Sequence, residues 1–109
     1  MTRGILTTLY FKLKQPMSTQ DLLDIYADFY QNEPFIRILD CGEYPQTKSV
    51  LGSNFCDIGL EVDPRTNRAI VMAATDNLMK GASGAAVQNF NLMFGYDETE
   101  GLMSPGLMP

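Results

Sequence analysis

The chain has 109 residues, a hydrophobic fraction of 45% and a formal net charge of −5 from 13 acidic and 8 basic residues. This length and hydrophobicity are typical of one globular domain, and no apolar run approaches the roughly 18–20 residues that a membrane span requires. The Lys and Arg residues are scattered, which argues against non-specific binding to nucleic acid or to an anionic membrane.

The first half of the chain is predicted to form a strand, a helix and a short strand. Residues 4–13 alternate with apolar side chains on both faces, which indicates a strand that is central in its sheet or covered on both sides. Ser18 is a typical helix N-cap with the acidic Asp21 at the third helical position, and the helix is expected over residues 19–31. A short strand is expected over residues 35–39. The spacing of the helix predicts one apolar stripe: Leu22, Tyr26, Phe29 and Tyr30.

The second half of the chain is predicted to form a loop, a hairpin and a second helix. Residues 40–49 are expected to be a loop. Residues 55–62 and 69–74 are two strands that a turn at residues 63–68 joins, which predicts an antiparallel hairpin. The helix is expected over residues 78–94. In the first hairpin strand the side chains are expected to divide between two faces: Cys56, Ile58, Leu60 and Val62 inward, Asp57 and Glu61 outward.

These elements follow in the order β-α-β-β-β-α, with an irregular tail from residue 95. Strands outnumber helices and the hairpin is antiparallel, so the sequence predicts the α+β class with a mixed or antiparallel sheet and helices on one face. A Rossmann unit is not expected, because no G-x-G-x-x-G motif follows a strand.

The helix that begins near Asn77 opens with Gly, Ala and Ser residues. Each Gly inside a helix costs about 1 kcal/mol relative to Ala, and close approach of another backbone or a ligand is the usual reason to accept that cost. Asn77 is either the N-cap or an amide that faces a ligand. Lys80 is poorly placed for the helix dipole, so it either binds an anion or is solvated. Three apolar side chains further along are expected to be core residues: Phe90, Met93 and Phe94.

The loop at residues 47–56 is the second unusual stretch. Its Lys48, Ser53 and Asn54 side chains are of the types that bind an anionic substrate group. The alternative is a strand entry in which the polar side chains satisfy a turn.

The chain contains two cysteines and no histidine. Cys41 and Cys56 are expected to be free thiols of a reducing, cytosolic setting, and the less favoured alternative is a disulfide between them. Cys56 is either a nucleophile or, as its position on an apolar strand face favours, an inert buried thiol. Without histidine the commonest general base and metal ligand is missing, and no metal site is expected.

Five segments in combination resemble the N-acetyl-γ-glutamyl-phosphate reductase family, and the match covers essentially the whole chain. They are MTRGI at residues 1–5, FYQNEPF at 29–35, YPQTKSVLGSNFCD at 44–57, DNLMKGASGAAVQNFNLM at 76–93 and ETEGL at 98–102. The resemblance implies an oxidoreductase of arginine biosynthesis that reduces N-acetyl-glutamyl 5-phosphate to the 5-semialdehyde with NADPH. It also implies a fold like the C-terminal domains of aspartate-semialdehyde dehydrogenase and glyceraldehyde-3-phosphate dehydrogenase.

That family uses a cysteine in an Asn-Pro-Gly-Cys type motif and a histidine. Both are absent here, so no catalytic residue is carried over and the chain alone is expected to be inactive. The resemblance implies a C-terminal fragment. Residues 1–76 would be part of the substrate-binding and dimerisation domain, and residues 77–109 a helix and tail that pack on a missing N-terminal NADP-binding domain.

The resemblance also implies site residues and partners. Residues matching its cofactor cleft are Asn77, Lys80 and Gly81, and those expected near substrate are Lys48, Ser53 and Asn54. The expected partners are the missing N-terminal NADP-binding domain and a homo-oligomer, dimer or higher. The charge and hydropathy give no expectation of nucleic acid or membrane as a partner, and the cysteine usage indicates the cytoplasm. The alternative is a stand-alone oligomerisation or binding module without catalysis.

Overall fold

The computed structural model describes residues 1–107, in which four strands form one mixed sheet in the order β1-β4-β3-β2. Strands β1 (Ile5–Lys12), β3 (Cys56–Asp63) and β4 (Arg68–Thr75) pair antiparallel, and β2 (Ile36–Ile38) runs parallel to β3. The predicted hairpin and the predicted mixed sheet are confirmed.

Three α-helices complete the described part: α1 (Thr19–Phe29), α2 (Thr47–Val50) and α3 (Gly84–Phe94). A π-helical segment at Met79–Ser83 leads directly into α3. The predicted element order is confirmed, except that α2 lies where residues 40–49 were predicted to be loop only. No helix within residues 1–107 has the length and apolar character to cross a membrane.

Helix α1 begins at the predicted N-cap, Ser18, which forms a capping box with Asp21. The Ser18 hydroxyl accepts from the Asp21 amide at 3.0 Å, and the Asp21 carboxylate accepts from the Ser18 amide at 3.0 Å. Leu22 and Leu23 are the buried side chains of this helix. The predicted stripe was wrong at Phe29, which is 76% exposed at the last position of the helix.

The core lies between α1 and the face of the sheet that β3 and β4 present to it. The inward side chains predicted for β3 are confirmed, and the buried cluster is Leu13, Leu22, Leu23, Ile58, Leu60, Val62, Ala69 and Val71. Burying each large aliphatic side chain contributes about 1.5–3 kcal/mol, so this cluster orders the hairpin against the helix.

Strand β1 is an edge strand, and the prediction that it is central or covered was wrong for the single chain. It pairs with β4 along its whole length, yet all eight of its residues are exposed. Its apolar side chains alternate between the two faces of the sheet. They remain exposed because α1 packs mainly against β3 and β2.

Asp57 was predicted to face outward, but it is buried on the sheet face opposite α1. Its carboxylate accepts from Arg37 Nε at 2.5 Å. The loop at residues 43–45 covers this face, and it approaches so closely that a Cβ on Gly59 would lie 2.9 Å from the carbonyl oxygen of Glu43. Coverage of the sheet is therefore shared between α1 on one face and this loop on the other.

Helix α3 packs mainly on the π-helical segment. The prediction that Phe90, Met93 and Phe94 are core residues was wrong, because they are 51%, 78% and 64% exposed. The buried contact is polar instead: the Asn91 amide nitrogen donates to the carbonyl oxygens of Glu98 and Glu100, at 3.3 and 3.0 Å. The tail is irregular over residues 95–107, as predicted.

Candidate functional site

Asp76 anchors the π-helical segment where it leaves β4. Its buried carboxylate accepts from Arg3 Nε at 2.6 Å, from Arg3 Nη2 at 2.9 Å and from the Met79 amide at 3.2 Å. The Arg3 guanidinium is the main reason why the pKa of Asp76 lies below its ordinary value. The carbonyl oxygen of Asp76 also accepts from the Gly81 amide at 2.9 Å. This segment is thereby fixed against the N-terminal residues of the chain.

Lys80, on this segment, belongs to a chain of polar contacts that we call the Gln88 cluster: Asn54, Lys80, Gln88 and Glu98. Lys80 Nζ donates to Gln88 Oε1 at 2.6 Å, and Asn54 Nδ2 donates to the same oxygen at 3.1 Å. Gln88 Nε2 donates to Glu98 Oε1 at 2.7 Å. The cluster thus joins the loop before β3, the π-helical segment, α3 and the tail.

The charge of Lys80 is not cancelled by an adjacent carboxylate. Within residues 1–107 the ion pairs are Arg3–Asp76 and Arg37–Asp57, and Lys80 is in neither. Its half-buried ammonium lies 5.3 Å from the centre of the Phe35 ring, a cation–π distance. A half-buried cation of this kind favours an anionic ligand.

Asn54 is wholly buried, and its Oδ1 is without a hydrogen-bond partner among residues 1–107. That oxygen lies against Gly84, where any Cβ would overlap it. Gly84 is therefore required for α3 to pass beside the Asn54 amide.

Cys56 is half-buried at the start of β3. Burial is the largest cause that raises the pKa of its thiol; Asp57 raises this pKa too, and Lys80 lowers it. Both cysteines are free, as predicted, and a raised thiol pKa opposes a nucleophilic role. Within residues 1–107 no three His, Cys, Asp or Glu side chains are grouped so as to hold a metal ion.

Residues 1–77 match the family model described as "Semialdehyde dehydrogenase, dimerisation domain". The chain belongs to this family. Two relatives named N-acetyl-gamma-glutamyl-phosphate reductase are 65% identical over 102 residues (Thermoanaerobacter sp.) and 58% identical over 109 residues (Geobacillus kaustophilus). These alignments cover 94% and 100% of this chain but 30% and 32% of the relatives, so the chain spans about a third of their length.

Solved structures show the same fold for this semialdehyde dehydrogenase domain. Aspartate semialdehyde dehydrogenase II from Vibrio cholerae, in complex with ASA, aligns with a TM-score of 0.66 and 19% identity. The alignment covers 85% of this chain and 27% of that one. The predicted family resemblance and the predicted fold are thus confirmed.

The structure brings some of the predicted site residues of this semialdehyde dehydrogenase domain together and separates others. Asn54 and Lys80 meet through Gln88. Ser53 is buried, and its hydroxyl donates to the Val50 carbonyl oxygen at 2.8 Å, an internal contact. Lys48 is exposed on α2 and lines a different hollow, with Arg3, Thr47 and Leu51.

Asn77 does not cap the helix through its side chain. Its Oδ1 accepts from the Gly4 amide at 2.6 Å, while the Asp76 carboxylate takes the Met79 amide that a cap would bind. At Gly81 a Cβ would lie 3.3 Å from the Asp76 carbonyl oxygen, so the backbone there is closely packed.

Sequence reasoning missed Gln88 and Glu98. Lys80, Gly84 and Gln88 follow at a spacing of four, which is the spacing of one helix face, and this signal could have linked Lys80 to Gln88. The contact between Glu98 and Gln88 could not be predicted, because it forms only when the tail folds back along α3.

Proposed function

We propose that this chain is the C-terminal part of an oxidoreductase that reduces N-acetyl-glutamyl 5-phosphate to N-acetyl-glutamate 5-semialdehyde with NADPH. The reaction would serve arginine biosynthesis in the cytoplasm. The observation that carries the proposal is the 58% identity over all 109 residues with a relative named for this reductase. The fit of a cofactor and the unpartnered surfaces of the chain support it, as follows.

The residues proposed for the cofactor fit NADP chemically. The Lys80 ammonium is half-buried without an adjacent carboxylate. Gly81 packs closely on Asp76 and Ile5 and so would hold the backbone beside Lys80 in place. The Asn77 oxygen is engaged with the Gly4 amide, which leaves its NH₂ group to donate to a carboxamide oxygen. Bound NADPH would supply the hydride, and these residues would hold the cofactor in place.

The residues proposed for the substrate would have different roles. Asn54 is at the Gln88 cluster and would act beside Lys80. Ser53 accepts from the Phe55 amide at 3.3 Å and so supports the loop that carries Asn54. Lys48 is exposed, and its charge would act at longer range.

We propose that residues 1–76 associate with a second copy through the sheet. Leu6 and Tyr10 on β1 are 50% and 67% exposed on the face without α1. An apolar sheet surface of this kind is typical of an interface, and the family description is that of a dimerisation domain. We expect a dimer or a higher homo-oligomer.

We propose that residues 77–109 pack on an N-terminal NADP-binding domain. Exposed apolar side chains cover much of α3, among them Val87, Phe90, Leu92, Met93 and Phe94. Such a helix surface requires a partner, and a cofactor domain there would also close the site over Lys80.

The test replaces the matching segment of the Thermoanaerobacter relative by this chain and measures NADPH oxidation with the acyl phosphate. We expect activity within about tenfold of the relative itself, which serves as the positive control. The 109-residue chain alone is expected to give no turnover, because it lacks histidine and its Cys56 thiol has a raised pKa.

Two outcomes would contradict the proposal. A folded chimera without activity would favour the alternative, a stand-alone oligomerisation or binding module. Turnover by the chain alone, purified free of host reductase, would contradict its dependence on another domain.

A further inference from the structure

The Gln88 side chain is held by partners at both ends of its amide. Its oxygen accepts from Lys80 Nζ and Asn54 Nδ2, and its nitrogen donates to the Glu98 carboxylate. Two donors at one end and a carboxylate at the other fix which way the amide points. Glu98 thus orients Gln88, and Gln88 in turn holds the Lys80 ammonium.

The partner of Lys80 in this chain is neutral. An ammonium group has three donors, and within residues 1–107 Lys80 uses one of them, on Gln88. A carboxylate at position 88 would make the same contact but would cancel the charge. The Glu98 carboxylate instead meets the far end of the Gln88 amide.

We infer that Gln88 is a positioning residue, which fixes the Lys80 ammonium while leaving its positive charge available to a phosphate group. The inference rests on the proposed function, since the phosphate would belong either to NADPH or to the acyl phosphate substrate. Gln88 itself touches neither.

The first test measures the position of Lys80 directly, by NMR of the lysine Cε–Hε groups in the 109-residue chain. The Gln88→Met variant keeps the length of the side chain and removes its hydrogen bonds. We expect the Lys80 signal to move to the position of mobile lysines, while Gln20→Met, at an exposed glutamine on α1, leaves it unchanged. An unchanged Lys80 signal in Gln88→Met would overturn the inference.

The second test exchanges the two groups with the variant Gln88→Glu/Glu98→Gln. The exchange keeps the net charge and can keep all three hydrogen bonds, but it places a carboxylate against Lys80. A purely structural role would leave the kinetics of the chimera unchanged. If Lys80 serves a phosphate, we expect the KM for its ligand to rise about tenfold, as for a lost charge-assisted contact, with kcat within about threefold.

The kinetic result also identifies the phosphate. A rise in the KM for NADPH alone assigns Lys80 to the cofactor, and a rise in the KM for the acyl phosphate alone assigns it to the substrate. Unchanged KM values for both would overturn the role of the charge. If the chimera with wild-type Gln88 is inactive, the proposed function fails, whereas the NMR result still decides whether Gln88 positions Lys80.

Discussion

The substitution Gly84→Ala tests the contact between α3 and the loop before β3. In an ordinary helix this change stabilises by about 1 kcal/mol, because Ala has the higher helix propensity. Here the added Cβ would overlap Asn54 Oδ1 and would lie 2.8 Å from the backbone carbonyl of Met79. The backbone cannot yield easily, since it belongs to the π-helical segment that Asp76 anchors.

The expected destabilisation is the cost of the steric overlap and of the lost hydrogen bond, less the gain in helix propensity. Overpacking a well-packed site costs about 1–3 kcal/mol. Displacing the Asn54 amide from Gln88 adds about 1–3 kcal/mol, because a buried polar group loses its partner. After subtraction of the gain in helix propensity, we expect Gly84→Ala to lower the free energy of unfolding by about 1–5 kcal/mol, with a central value of about 3 kcal/mol.

Urea unfolding followed by circular dichroism measures this change. The two proteins can be compared if the slope of unfolding free energy against urea concentration is the same for both. Gly81→Ala is the matched control. Its Cβ would lie 3.3 Å from the Asp76 carbonyl oxygen and 3.4 Å from Ile5 Cδ1, so we expect a change within about 1 kcal/mol.

A Gly84→Ala protein as stable as wild type would refute this reasoning. So would strict additivity with Asn54→Ala, because removal of the overlapping amide must relieve part of the strain that the new methyl group causes.

Three further predictions concern pH, capping and assembly. The pKa of Asp76 is lower in the folded chain than its unfolded value near 3.8, so its ionised carboxylate stabilises the fold fully above that value. This stabilisation is lost as pH falls through the folded pKa. Asp76→Asn should therefore flatten the acid side of a plot of unfolding free energy against pH, and an equally steep acid side would contradict this. Ser18→Ala should lower the free energy of unfolding, measured in urea, by about 1 kcal/mol because the capping box is lost. An unchanged free energy of unfolding would show that the capping box does not stabilise the helix. The double substitution Leu6→Lys/Tyr10→Lys should convert the oligomer to monomer in sedimentation velocity; an unchanged oligomer would place the interface elsewhere.

Local patterns predicted the elements of this fold well. The alternation in β3, the turn before β4 and the N-cap at Ser18 are properties of neighbouring residues, and the structure agrees with all three. The short helix α2 was missed, because four residues in a loop rich in Gly and Pro give no helical periodicity.

The errors have one physical origin. The apolar faces of β1 and the Phe90–Phe94 region were taken as buried because hydrophobic residues are usually inside. Periodicity shows that a face is apolar, but it does not say whether the face meets its own chain or another one. Asp57 was misplaced for the related reason that its partner, Arg37, lies on a different strand.

The candidate site was predictable only in part. The Gly- and Ala-rich opening of α3 indicated close approach, and Gly84 against Asn54 is such a contact. The bond between Gln88 and Glu98 depends on the path of the tail, which no local pattern determines.

The contacts of Arg3 with Asp76 and of Gly4 with Asn77 bring the two ends of the family-matched region, residues 1–77, to one point. A unit whose ends meet can be inserted into another protein with little disturbance, because both connections leave from the same corner. Polypeptide joined before residue 1 and polypeptide after residue 77 would therefore run side by side where they leave the unit.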